Sequence, residues 1–315
     1  MNIALRPVDP ALIVKGTNDD PRLGRNLRSD ADDAAVAIVG CADDTGVANS
    51  GGRTGAALGP TEIRRWLYKQ TTGMNGALEE LGLVDLGDMM PQETIEATHA
   101  ALEAVVASQV KKGRAVIMLG GGHDLAYASQ SGVFATVIGR GAVVNLDTHL
   151  DVRPLKEGRI ITSGTPFRRL IERFADRVSP YLALGVQPQH NARAHAEWIH
   201  QHAGRFMTLQ ELRTAPGIDA RMEREFDTAA AGADFVTLSL DLDVAPASVA
   251  PGTSAPPADG IPASSLARLC GIAGRSPKTA LLDLVELAPP HDENGRTARL
   301  AALCAWEFLC GVARR

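Results

Sequence analysis

No apolar stretch in this chain approaches the roughly 20 residues that a bilayer-crossing helix needs. The amino terminus, MNIALRPVDP, also lacks the hydrophobic region and cleavage site of a secretory leader. No membrane partner is therefore expected, and the chain reads as cytoplasmic. Cysteine is scarce. Cys41, Cys270, Cys304 and Cys310 show neither CxxC spacing nor the density of a disulfide framework, so free thiols are expected. Basic residues are not in excess: 32 Lys and Arg against 37 Asp and Glu leave a net charge of -5, which gives no footprint for nucleic acid. A dinucleotide fingerprint is missing too, because Gly120-Gly121-Gly122 runs straight into His123-Asp124 without GxGxxG spacing.

What is present suffices for a large core, with 45% apolar residues in a chain of 315. Residues 1–33 are polar and irregular and read as an N-terminal arm; residues 34–315 read as a single catalytic domain. Continuous apolar runs predict buried strands over 34–40, 115–119, 142–146, 181–186, 235–240 and 280–285. Helix-like stretches lie between them, over 61–68, 94–111, 125–137, 167–174, 192–202, 221–231 and 264–274, with a last helix over 297–312. Strands alternating with helices indicate an α/β fold, a parallel sheet covered on both faces. The Pro- and Ala-rich piece 245–262 follows a strand directly and reads as a loop at the sheet's carboxyl edge.

Ligand sites in such sheets form beyond the carboxyl ends of the strands, and four strands end in chemistry. The run 115–119 ends in Gly120-Gly121-Gly122-His123-Asp124, and 142–146 in Asp147-Thr148-His149-Leu150-Asp151. The run 235–240 ends in Asp241-Leu242-Asp243, and 280–285 in Glu286. Each alone has a plainer reading: solvated loop acids, Asp124 as a helix cap, or Glu286 as a satisfied buried group. A straight chain would hold Asp147 and Asp151 about 13 Å apart, so a compact site requires a bend after Asp147. Taken together, one sheet edge receives His123, His149 and four aspartates, a donor set suited to two divalent ions with mixed nitrogen and oxygen ligands. Like charges at that density repel unless cations compensate them, and oxygen-rich ligands without thiolate favour Mn2+ over Zn2+, with Fe2+, Co2+ and Ni2+ left open.

Gly121-Gly122-His123-Asp124, Asp147-Thr148-His149-Leu150-Asp151 and Ser239-Leu240-Asp241-Leu242-Asp243 resemble the three metal motifs of the ureohydrolases, which include arginase, agmatinase and formimidoylglutamase. Asp151-Val152-Arg153-Pro154, Ser163-Gly164-Thr165-Pro166-Phe167, Gly52 to Pro60 and Thr297 to Ala302 look most like formimidoylglutamase. The resemblance implies a three-layer αβα fold around an eight-stranded parallel sheet, with two Mn2+ ions per subunit. By motif position His123 and Asp151 would bind one ion, His149 and Asp243 the other, and Asp147 and Asp241 would bridge. Asp151 would carry a proton to the leaving amine, and Glu286 would hold the amidine of the substrate.

The implied reaction is hydrolysis of a linear amidine, N-formimidoyl-L-glutamate, to L-glutamate and formamide in histidine degradation. Arg153, in the loop that faces the substrate's far end in the family, suits a carboxylate; Ser163, Arg168 and Asn191 are further expected substrate contacts. The alternative is a ureohydrolase that releases urea from a guanidino acid. Three features depart from the family pattern: Ser163-Gly164-Thr165-Pro166 lacks the His that arginases carry, Leu150 and Ala245 stand where formimidoylglutamases commonly place aromatics, and Pro188-Gln189-His190 differs from the usual loop. A small-molecule substrate and a homo-oligomeric state are also implied.

Overall fold

The alternating runs fold into nine strands and ten α-helices among the residues that the computed structural model describes, 5–28, 33–202 and 204–315. The strands are β1 (Leu5–Arg6), β2 (Val36–Cys41), β3 (Leu83–Met89), β4 (Ala115–Leu119), β5 (Gly141–Leu146), β6 (Val178–Val186), β7 (Gly204–Thr208), β8 (Phe235–Asp241) and β9 (Thr279–Val285). The helices are α1 (Thr45–Ser50), α2 (Gly59–Leu67), α3 (Ile95–Lys111), α4 (Leu125–Phe134) and α5 (Pro166–Arg173), then α6 (Arg193–Gln201), α7 (Leu209–Leu212), α8 (Ile218–Ala231), α9 (Ala263–Arg275) and α10 (Arg296–Val312).

The sheet order is β1-β3-β2-β4-β9-β8-β5-β6-β7. Eight strands are parallel, as the resemblance implies; β1 adds a ninth, antiparallel to β3. The rest of the expected arm includes residues 1–4 and 29–32, which lie outside the described residues. Two parallel strands have no counterpart in the sequence prediction, and each has a physical reason. In β3, Asp85 and Asp88 interrupt the apolar pattern, and Arg64 of α2 pairs with both. β7 is a half-buried edge strand that pairs only with β6, so its composition carries little core signal.

Helices cover both faces. Ile38, Ile117, Val144, Leu238 and Leu282 pack in one core with residues of α2, α8, α9 and α10; Val39, Val116, Val143 and Leu281 pack in the other with residues of α3, α4 and α5. Register positions the site. Leu119 pairs with Leu284, Leu284 with Leu240, and Leu240 with Leu146, so four central strands end in one row. Each of these leucines is fully buried, which stabilises by about 1.5–3 kcal/mol per side chain. A one-residue slip would turn any of these strands inside out. The residues that follow the row therefore emerge side by side.

Candidate metal centre

Asp147 and Asp241 leave the sheet next to each other and then make the same turn. Asp147 Oδ1 accepts the amide of His149 at 2.6 Å, and Asp241 Oδ1 accepts the amide of Asp243 at 2.8 Å. Short Asp side chains favour this because they reach their own backbone two residues on. The bend needed after Asp147 is thus made by Asp147 itself. Thr148 Oγ1 donates to Asp243 O at 2.9 Å and stitches the two loops together. Asp151 continues the bend with a left-handed φ of 47°, and Glu286 has a φ of 66°, a region that non-glycine residues rarely enter. The loop carrying His123 comes in close because a Cβ on Gly121 would lie 1.8 Å from Asp43 O.

These turns bring the expected ligands together. His123 Nδ1 stands 2.9 Å from Asp151 Oδ2, 3.1 Å from Asp241 Oδ2 and 3.2 Å from Asp147 Oδ2. His149 Nδ1 stands 3.1 Å from Asp243 Oδ2 and 3.4 Å from Asp147 Oδ1. Two donor groups result, His123–Asp147–Asp151–Asp241 and Asp147–His149–Asp243, each with its donor atoms within 4.8 Å of one another. Asp147 belongs to both, and Asp241 falls in the first.

The electrostatics of the cluster are unbalanced. Burial opposes a charged His149, but the carboxylates of Asp243 and Asp147 outweigh it and push the imidazole up to about 12. Burial pushes Asp243 up to about 6 and, with Asp243 and Asp147 nearby, raises Asp241 well above the usual carboxylate range. Burial likewise lifts Glu286 to about 8, against the amide of His123, which donates to Glu286 Oε1 at 2.8 Å. Both imidazoles and the acids Asp241, Asp243 and Glu286 favour their protonated forms. Against burial, the two imidazoles hold Asp147 below the usual carboxylate range. Protons are thus drawn to a cluster short of positive charge. His123 Nδ1 and Asp243 Oδ1 are buried and hydrogen-bond to no side chain or backbone group. Inward-facing nitrogen and oxygen donors without thiolate fit divalent cations.

Around the donors lies a cavity of about 170 Å³ lined by His123, His149, Asp151, Asp241, Asp243 and Glu286, and also by exposed Arg153, half-buried Ser163 and buried Gly164. Arg153 makes no ion pair among the described residues. Arg168 and Asn191 stand outside this lining. Arg168 Nε donates to Glu172 Oε1 at 2.9 Å and its guanidinium lies over the Trp198 ring. Asn191 Oδ1 accepts the amide of Leu150 at 2.8 Å, while Nδ2 donates to Thr148 O and Gln187 O, so Asn191 supports the ligand loop.

The Arginase family model matches residues 34–311 of this chain. A formimidoylglutamase from Ralstonia nicotianae is 37% identical over 290 residues, covering 89% of this chain and 86% of the relative. The chain belongs to the arginase family. A formimidoylglutamase from Klebsiella pneumoniae is 35% identical over 277 residues, 87% of this chain and 84% of that protein. The crystal structure of Trypanosoma cruzi formiminoglutamase with Mn2+ is 32% identical and superposes with a TM-score of 0.86, covering 94% of this chain and all of that one. A proclavaminate amidino hydrolase from Streptomyces clavuligerus is 25% identical, with a TM-score of 0.79 over 91% of this chain and 94% of that chain.

Within this family frame, several supporting residues escaped the sequence reading. Ser239 Oγ lies 3.0 Å from His123 Nε2, so the imidazole's far nitrogen is engaged while Nδ1 faces the carboxylates. Tyr181 Oη donates to Leu150 O at 2.6 Å, and Gln187 Nε2 reaches Thr148 Oγ1 at 3.3 Å. Ser239 sits inside a metal motif and could have been suspected; Tyr181 and Gln187 carry no signal beyond their place at a strand and its end. His291 Nε2 donates to Thr54 O at 2.9 Å, which ties this histidine into the loop. The rings of His190 and His149 meet edge to face with centroids 5.7 Å apart.

Proposed function

We propose that this arginase-family protein is a manganese-dependent formimidoylglutamase that cleaves N-formimidoyl-L-glutamate to L-glutamate and formamide. The observation that carries the reading is the pocket's polarity. Glu286, Asp151, Asp241 and Asp243 are buried in its lining, and Arg153, a cation without an ion pair among the described residues, lines its exposed part. A substrate with an amidine at one end and carboxylates at the other matches that order, whereas agmatine would set its amine against Arg153. The names of the curated relatives agree.

His123, Asp147, Asp151 and Asp241 would hold one ion, and His149 and Asp243 the other, with Asp147 shared; by motif resemblance Asp241 would bridge as well. When bound, such ions would lower the pKa of a water and make hydroxide available near neutral pH. The chain's own residues supply the rest. Glu286, its Oε1 fixed by the amide of His123, pairs with the amidine and keeps the amidine nitrogens oriented away from the donor cluster. Asp151, on the cavity wall, receives the proton released by the attacking water and returns it to the leaving amine nitrogen. Arg153 grips a carboxylate with two parallel hydrogen bonds, and Ser163 adds a hydroxyl beside it. Arg168 and Asn191 act behind this contact, through α5 and the 148–150 loop.

Residues 34–315 serve in this reading as one catalytic domain with 1–33 as its arm, supported by a family match that begins at residue 34. A cytoplasmic, homo-oligomeric state belongs to the same proposal; four buried free cysteines suit a reducing compartment, and light scattering tests the assembly. Formamide release by the Mn2+-loaded protein is the direct assay, and Asp151→Asn should abolish it. A fully loaded protein that yields no formamide would sink the assignment. The likeness to an amidino hydrolase favours a second reading, release of urea from a guanidino acid, and a parallel urea assay separates the two.

A further inference from the structure

We propose that Gly164 is a positioning residue for Arg153, and so sets the preference for substrates with a carboxylate at the far end; the inference rests on the reading of Arg153 given above. The two residues belong to segments that run side by side. Arg153 donates its amide to Gly164 O at 2.8 Å, and both line the cavity. The stem of Arg153 lies flat on Gly164. A Cβ built there would come 2.7 Å from Arg153 Cδ, 3.0 Å from Nε and 3.3 Å from Cγ. No side chain of any kind fits between them while the arginine keeps its course.

The backbone gives no other reason for glycine. Gly164 is not among the glycines with a left-handed φ, so an alanine there would be unstrained. Its turn is held by neighbours: Thr165 Oγ1 donates to Thr162 O at 2.8 Å, and the amide of Ser163 donates to Gly46 O at 3.0 Å. The far end of a flexible, exposed side chain yields more readily than a buried turn. An added methyl would therefore displace Arg153 and leave the loop in place. The surroundings make that displacement matter. Among the described residues Arg153 has no acidic partner to hold it by charge, and its charge together with that of Arg168 disfavours protonation of His195, behind burial. The stem's contact with Gly164 is what sets where the guanidinium meets a ligand.

Calorimetric titration of the Mn2+-loaded protein with L-glutamate and with 4-guanidinobutyrate tests this without relying on turnover. The wild type, Arg153→Ala, Gly164→Ala and the double variant form a cycle. Loss of a bidentate contact in either single variant should weaken carboxylate binding by roughly tenfold. The double variant should bind no more weakly than Arg153→Ala alone, which a merely structural role for Gly164 would not produce. The melting temperature of Gly164→Ala should stay within about 3 °C of the wild type. Wild-type affinity in Gly164→Ala, full additivity of the two effects, or no binding of either acid to the wild type would overturn the inference. Acid binding without formamide release would instead overturn the formimidoylglutamase assignment and leave this contact standing.

Discussion

Among the described residues, the buried charge cluster beside β3 and the donor cluster at the carboxyl ends of the central strands are built on opposite principles. Beside β3, the Arg64 guanidinium meets Asp85 through Nε at 2.7 Å and Nη2 at 2.9 Å, and it also contacts Asp88. Arg6 adds a second cation on Asp88 at 2.9 Å, and the Tyr68 hydroxyl donates to Asp85. Two arginines answer two aspartates, and every partner lies within the chain. At the carboxyl ends of β4, β5, β8 and β9, four aspartates and Glu286 face two imidazoles, and a buried nitrogen and oxygen go without partners. Burial of charge does not by itself mark a functional site. A shortfall of opposite charge does, because an incomplete cluster specifies what must come from outside.

That contrast can be broken at several points. The largest effect belongs to the balanced cluster: Arg64→Ala leaves Asp85 and Asp88 buried and should cost about 3–5 kcal/mol in urea unfolding. A loss below ~1 kcal/mol would show that this cluster is not self-contained. At the other edge, neutralising an acid should have two opposite consequences. Asp241→Asn should lower activity by about 100-fold or more through lost Mn2+ binding, while the metal-free variant melts above the metal-free wild type at pH 8. If removing that charge destabilises the metal-free protein, the idea of an anionic excess is wrong. Ser239→Ala should weaken Mn2+ binding by roughly tenfold, measured by competition with a chelator; unchanged affinity would remove Ser239 from the support of His123.

The smallest effect per pH unit lies beneath the centre, at Asp283 on β9, which is fully buried with one oxygen unpartnered. Burial raises its carboxyl to about 7, against hydrogen bonds from Ser129 and Gln130. A raised folded-state value contributes stability below the unfolded value near 4, and that contribution fades as pH rises toward 7. Asp283→Asn should therefore gain on the wild type by on the order of 1 kcal/mol per pH unit across that window. Parallel stability curves for the two proteins would show that Asp283 does not titrate there.

Much of this could be read in the chain, and the reason is local. Strand ends announce themselves as apolar runs that stop at polar residues, and parallel register does the rest, so His123, Asp147, His149, Asp151, Asp241, Asp243 and Glu286 meet without further information. β3 stayed hidden because Asp85 and Asp88 look like surface residues until Arg64, more than twenty positions earlier, is placed against them. The rim was least legible. Whether Asn191 faces ligand or loop, and why position 164 lacks a side chain, depend on contacts between segments that sequence spacing does not encode.

Asp151 and Glu286 are held in left-handed backbone, where most residues carry a strain of about 1–3 kcal/mol. Selection for a stable fold alone would place glycine or asparagine at both positions. The two residues read as proton carrier and amidine clamp are thus ones that folding would replace, so screens of variants for thermal stability would drift toward proteins that are sturdier and inert.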